Sequence, residues 1–337
     1  MIAGYLLRRV LAAIPVLALV LVLVFALARM IPGDPAAAML GPGASTTQIA
    51  ALRQTMRLDE PLTAQFTHYV VQVAHGDLGI SLKTGRPLAG ALAEKFPATI
   101  ELAVAATVLA LVLAIPAAVL AAVRPDGWID NTLRVIGIAG VSLPAFLTAL
   151  ALQAVFGAWL GWLPVALRQS PWLAQPPITG LAVVDAVLRG RLDMLLDALA
   201  HLVLPALVLA SFLAASFSRL LRASLIAALH APHVRAARAR GLPARAIVWR
   251  HALRFAIVPT LPVIGIQFGD MLGGAILTET VFSWPGLGRF TVEAIHNRDY
   301  PAIQAATLVF AAVFIVVSIL IDAFALWLDP RLRGGGA

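Results

Sequence analysis

Nineteen consecutive residues, from Val10 to Ala28, carry no charge. At about 1.5 Å per helical residue they nearly match a hydrocarbon core of roughly 30 Å. Five further apolar runs follow, at about 100–123, 133–160, 201–217, 255–277 and 302–326. A segment in lipid must satisfy its backbone N–H and C=O groups internally, which six long apolar runs do as helices. Composition agrees, because 61% hydrophobic and only 12% charged residues leave too little polar surface to cover a water-soluble fold. The sequence predicts an all-α membrane protein with six transmembrane helices.

The first run has one rival reading. Ala26-Leu27-Ala28 fits the small-x-small pattern of a cleaved signal peptide, but the apolar region of a signal is only about 7–15 residues. An uncleaved helix is the better reading.

Arginine decides orientation. The chain has 25 Lys and Arg against 17 Asp and Glu, a formal charge of +8, and lysine occurs only as Lys83 and Lys95. With both termini inside, the cytoplasmic loops and ends hold Arg8, Arg9, Arg124, Arg134, the arginines between 219 and 254, Arg331 and Arg333, opposed only by Asp126, Asp130 and Asp329. External stretches mix their cations with acids over long segments, where they matter less to topology. The basic balance is therefore a topological signal and not a nucleic-acid footprint.

Outside the runs, residues 29–97 read as an external segment rich in Pro and Gly, with a short amphipathic helix over 46–56 that places Ile49, Leu52 and Met56 on one side. His68 and His75 lie there without a carboxylate or cysteine at metal-ligand spacing. Residues 163–200 and 283–300 are also external, and the apolar piece 178–188 is too short to span. Pro144 inside the third run predicts a kink. The fifth run is the least lipid-like: Gly265, Gly269 and Gly273 recur every fourth residue, a spacing that lets helix backbones approach, while Gln267, Asp270 and Glu279 interrupt it. Asp270 must face protein or a wet pathway, since a carboxylate is expensive in lipid. Gly265, Gly269, Asp270, Gly273 and Glu279 are the candidates for pathway lining or helix packing.

Between the fourth and fifth runs, residues 219–254 hold eight arginines (219, 222, 235, 238, 240, 245, 250 and 254) and no acid. Pro232 marks a helix start, Gly241 a left-handed stop and Pro243 the first turn of another helix. The stretch reads as helix, tight turn, helix on the cytoplasmic side.

Catalytic patterns do not occur. Neither lysine follows a glycine, so no phosphate-cradling G-x-x-x-x-G-K-[ST] exists, and there is no H-E-x-x-H or G-x-S-x-G. No catalytic residue, metal ligand or cofactor is assigned, and cysteine is absent.

The run R-A-A-R-A-R-G at 235–241, with Leu253 twelve residues on, resembles the EAA loop of membrane permeases of binding-protein-dependent ABC importers. Arg235 replaces the motif's Glu and Arg254 its Pro. Those departures resemble the dipeptide, oligopeptide and nickel branch, as do P-G-D-P at 32–35, G-D-L-G at 76–79, T-V-F-S-W-P-G-L-G-R at 280–289, R-D-Y-P at 298–301 and L-D-P-R at 328–331. The resemblance implies the type I ABC importer permease fold in a bacterial cytoplasmic (inner) membrane. It divides the chain into a first helix plus external segment (1–94), a type-1 transmembrane domain (95–329) and a short tail (330–337).

It also implies that Arg235, Ala236, Ala237, Gly241 and Leu253 belong to a coupling helix docking on an ATPase subunit. The expected partners are two ABC ATPase subunits, a homologous second permease (a distinct chain, or a second copy), an extracytoplasmic substrate-binding protein and membrane lipid, with no nucleic acid. Peptides are the expected substrate, with nickel chelates or glutathione as alternatives within the branch. The rival class is an ion-coupled secondary transporter. It would call for ionisable groups at mid-membrane, where only Asp270 lies, with Asp322 toward the end of the sixth run.

Overall fold

The structure, a computed structural model, describes residues 2–30, 35–40, 43–55 and 57–328, with a few side chains, Asp270 among them, left out. The P-G-D-P and L-D-P-R motifs and the tail 330–337 fall largely outside the described residues.

In chain order the α-helices are α1 (Ile2–Met30), α2 (Pro35–Leu40), α3 (Thr46–Thr55), α4 (Leu62–Ala74), α5 (Leu88–Val123), α6 (Trp128–Ser142), α7 (Ala145–Leu152), α8 (Ala182–Leu188), α9 (Leu192–Leu229), α10 (Pro232–Ala239), α11 (Ala244–Ala246), α12 (Leu253–Ile257), α13 (Leu261–Val281), α14 (Leu287–His296) and α15 (Tyr300–Leu328). Among the described residues five stretches are long and apolar enough to cross a membrane, and a sixth is supplied if α6 and the helix after it are one broken span.

The kink expected at Pro144 is present as a bend of 108° between the two halves of the third run, and two other expectations about the spans need correction. Leu143, ahead of Pro144, is extended at φ −82° and ψ 128°, as steric conflict with the proline ring demands. The fourth span runs 38 residues, from Leu192 to Leu229. At about 57 Å it overshoots the hydrocarbon at both ends, so Asp193, Asp197, Arg219 and Arg222 ride on the helix and not in loops. The fifth span begins near Ala244 and continues through a π-helical turn at Ile247–Ala252, α12 and a 3-10 turn at Val258–Thr260 into α13. Within 219–254, therefore, only 230–231 and 240–243 lie outside helical structure.

α5 and α9 form the axis of the core. On α5, Ala98, Leu102, Ala106, Ala110, Ala114, Ala118 and Ala122 recur at every fourth position and all are buried. On α9, Leu202, Ala206, Leu209, Ala210, Leu213, Phe217, Leu221 and Leu225 are buried, and both helices contribute to the same apolar clusters. Small residues on one helix let the larger side chains of the other approach closely, which is how membrane helices associate without a hydrophobic driving force between them. The boundary between 94 and 95 falls inside continuous α5, so the two parts of the chain share a helix.

α1 lies against α15, fixed at one end by the Arg9–Asp322 ion pair at 2.9 Å and toward the other by the Gln304 amide donating to the Val24 carbonyl. Most of its described side chains are exposed apolar groups, as a lipid-facing helix requires.

Candidate functional site

α10 is built to be held on one face and offered on the other. Ala231 is extended, Pro232 occupies the first turn, and Val234 and Ala237, three apart, are fully buried. They pack into a cluster with Phe217, Leu221 and Leu225 of α9 and with Ile247, Ala252 and Ala256 beyond the turn. Leu253 packs against the same cluster from its edge.

Gly241 stops the helix at φ +76°, with its N–H donating to the Arg238 carbonyl at 3.0 Å and the Leu242 N–H to Ala237 at 3.4 Å. A glycine is needed here for its backbone, not for space, because a Cβ would meet nothing within 4 Å. The opposite face presents Arg235, Ala236, Arg238 and Arg240, all exposed. None of Arg235, Arg238, Arg240, Arg245, Arg250 and Arg254 forms an ion pair with a described residue. The arrangement is a stiff cationic knob on a firmly packed base, suited to a partner carrying acidic groups.

The candidates of the fifth span separate in space. Gly265 faces Ile321 of α15. At Gly269 a Cβ would stand 2.5 Å from the Phe314 ring, so that site admits no side chain without repacking. Gly273 has open space around it and serves no close approach within the chain. The Asp270 side chain lies outside what is described.

Glu279 is fully buried and is the hub of the T-V-F-S-W-P-G-L-G-R motif. Its Oε1 accepts from the Thr99 hydroxyl of α5 at 2.7 Å, its Oε2 from the Arg289 N–H at 3.0 Å, and its own carbonyl from the Trp284 N–H at 2.8 Å. Thr99 in turn accepts from the Leu287 N–H, and the Trp284 indole donates to the Ala98 carbonyl. A Cβ on Gly286 would overlap the Glu279 carboxyl, which explains the glycine after Trp284-Pro285. Glu279 thus locks the end of α13 to α5.

Among the described residues four other buried carboxylates hold the structure together, and of these the sequence marked only Asp299, inside R-D-Y-P. Glu101 pairs with Arg168 at 2.6 Å and accepts from the Val183 N–H. Asp130, at the start of α6, is gripped by both Nε and Nη2 of Arg222 at 2.6 and 2.5 Å and by Arg134 at 3.0 Å. Asp299 of R-D-Y-P accepts from the Ser81 hydroxyl at 2.5 Å and from the Leu82 and Lys83 N–H groups, pinning the 76–87 turn to the start of α15. In G-D-L-G, Asp77 accepts from the Gly79 N–H while Gly76 and Gly79 take φ +79° and +86°. Outside the spans, burial works against the charge of Asp185, but hydrogen bonds from Thr179 and the backbone N–H groups of 178–180 hold its carboxyl below the usual range. Apart from the R-D-Y-P motif around Asp299, the sequence signal for these acids was their rarity in so apolar a chain; their partners lie up to 218 residues away.

Residues 114–334 match the family described as binding-protein-dependent transport system inner membrane component, and residues 1–103 match the N-terminal region of such membrane components. Among curated relatives, the dipeptide transport system permease protein DppB of Alkalihalophilus pseudofirmus is 38% identical over 330 residues, covering 98% of this chain and 99% of the relative. The probable D,D-dipeptide transport system permease protein DdpB of Escherichia coli K12 is 41% identical, covering 95% of each. The glutathione transport system permease protein GsiC of Escherichia coli O6:H1 is 37% identical, covering 98% and 99%.

Proposed function

The chain belongs to the inner membrane component family of binding-protein-dependent transport systems, and from that premise we propose that it forms half of a pathway carrying di- or oligopeptides inward. It is a multi-pass inner-membrane permease of the type I ABC importer fold. Relatives named for dipeptides, D,D-dipeptides and glutathione share a peptide as the transported class, which supports a peptide here.

ATP hydrolysis belongs to two separate ATPase subunits, since no P-loop occurs in this sequence. A second, homologous permease closes the pathway, and an external binding protein delivers the substrate. Both termini lie in the cytoplasm, and movement follows alternating access. The observation that carries the coupling role is α10 itself: Val234 and Ala237 tie it to α9, and its unpaired arginines face outward. A short helix so anchored transmits displacement, whereas a disordered linker would absorb it.

Reconstitution tests this reading. The purified chain alone should hydrolyse no ATP, and peptide-stimulated hydrolysis and uptake should arise only when P-loop subunits and the binding protein are added. Hydrolysis by the isolated chain, or peptide uptake driven by an ion gradient without ATPase subunits, would overturn it.

A further inference from the structure

We propose that a groove between α5, α6 and α9 holds one anionic phospholipid, with its headgroup at Arg219 and an acyl chain lying along the groove. The groove encloses about 460 Å3 and is lined by apolar and small residues such as Leu113 and Ala117 of α5, Ile136 and Gly140 of α6, and Ala214 of α9. At one end the lining turns cationic, with Arg134, Arg219 and Arg222 beside Asp130. The charge there is not balanced. Asp130 is committed to Arg222 and Arg134, and Asp126 reaches only Arg134. Exposed Arg219 makes no ion pair with a described residue.

Length points to the same ligand. From Ser211 to Arg222, the two ends of the lining on α9, the helix rises about 16 Å, roughly one leaflet of a 30 Å hydrocarbon core. A soluble anion would answer the arginines and leave the apolar length uncovered, and an apolar partner helix would leave the cation without a counter-charge. A lipid with a negative headgroup satisfies both, in the manner of basic pockets between membrane helices.

The test is native mass spectrometry on the full chain, with the subunits that co-purify, in mild detergent with added phosphatidylglycerol or phosphatidylcholine. One phosphatidylglycerol per chain should survive activation that strips phosphatidylcholine. Arg219→Gln should weaken retention about fivefold, the loss expected for one cation at an anionic surface. Ala117→Phe, which fills the apolar part and alters no charge, should weaken it too, while Arg235→Gln on α10 leaves it unchanged. Equal retention of the two lipids, or indifference to both groove variants, would overturn the proposal. So would displacement by inorganic phosphate at low concentration, which would mark a bare anion site. In native membranes, efficient crosslinking of cysteines placed at Ile136 and Ile138 to a second permease chain would show that protein covers the groove, and would also overturn it.

Discussion

At the scale of single residues, the chain keeps its few buried charges as fasteners. Asp130 is 1% exposed and accepts from two arginines on two helices, so it ties the start of α6 to α9 across 92 positions. Removing one partner of a buried ion pair leaves the other without compensation and costs about 3–5 kcal/mol. Asp130→Asn should therefore lower the thermal midpoint of the purified chain by several degrees. Adding Arg222→Met to it should recover part of the loss, because the orphaned guanidinium is then gone. A double variant no more stable than the single one would show that the pair is not what holds α6. These contacts could not be read in advance: the sequence marks Asp130 only as an acid in a cytoplasmic turn, and its partner is chosen by how α6 and α9 pack.

At the scale of elements, glycine spacing carried a signal that structure had to sort. The period of four at Gly265, Gly269 and Gly273 suggests one packing stripe, yet only the first two meet α15. Gly269→Ala should lower stability by about 1–3 kcal/mol through overpacking against Phe314, and Phe314→Ala in the same chain should restore room. Gly273→Ala should leave stability within about 0.5 kcal/mol of the parent. Thermal unfolding of the three variants checks this, and equal sensitivity at 269 and 273 would contradict it. The alanine stripe of α5 is the reverse case. It is plain in the sequence once its partner is known, but alanine is so common in apolar helices that periodicity alone did not pick it out. Element lengths also escaped reading: charged residues at 193, 197, 219 and 222 looked like loop residues because hydropathy falls at the membrane surface, whereas a helix continues past that surface as long as its backbone bonds and packing continue.

At the scale of the whole molecule, the proposed coupling role depends on whether α10 moves as one piece with the spans. Gly241 has φ +76°, and a residue with a Cβ pays roughly 1–2 kcal/mol there. Gly241→Val should leave insertion and abundance near normal while lowering uptake and the ATPase stimulation by loaded binding protein. Gly241→Asn should be milder, since asparagine tolerates this region. Full uptake with valine would show that the glycine has no part in coupling. Orientation is tested separately, and the lack of native cysteine makes the experiment clean. Single cysteines at 60, 175 and 295 should react with a membrane-impermeant thiol reagent in intact cells, and those at 127 and 240 should not. External labelling at 240 would invert the topology and with it the coupling surface.

What the sequence determined alone was what depends on local composition: helical spans from apolar runs, the sign of the loop charges, the start and stop of α10 at Pro232 and Gly241, and the family from motifs spread along the chain. Tertiary structure decided what depends on which surfaces meet. The kink at Pro144 was legible from the proline, and the folded structure set its size at 108°. It placed Glu279 inside a knot with Thr99 and Trp284, and it sorted Gly269 from Gly273 by the presence of Phe314. Hydropathy and propensity act over a few residues and can be read along the chain. A buried charge or a close helix approach is settled by partners far away along the chain, 92 positions for Asp130 and Arg222 and 180 for Glu279 and Thr99, and only the folded packing brings those within reach.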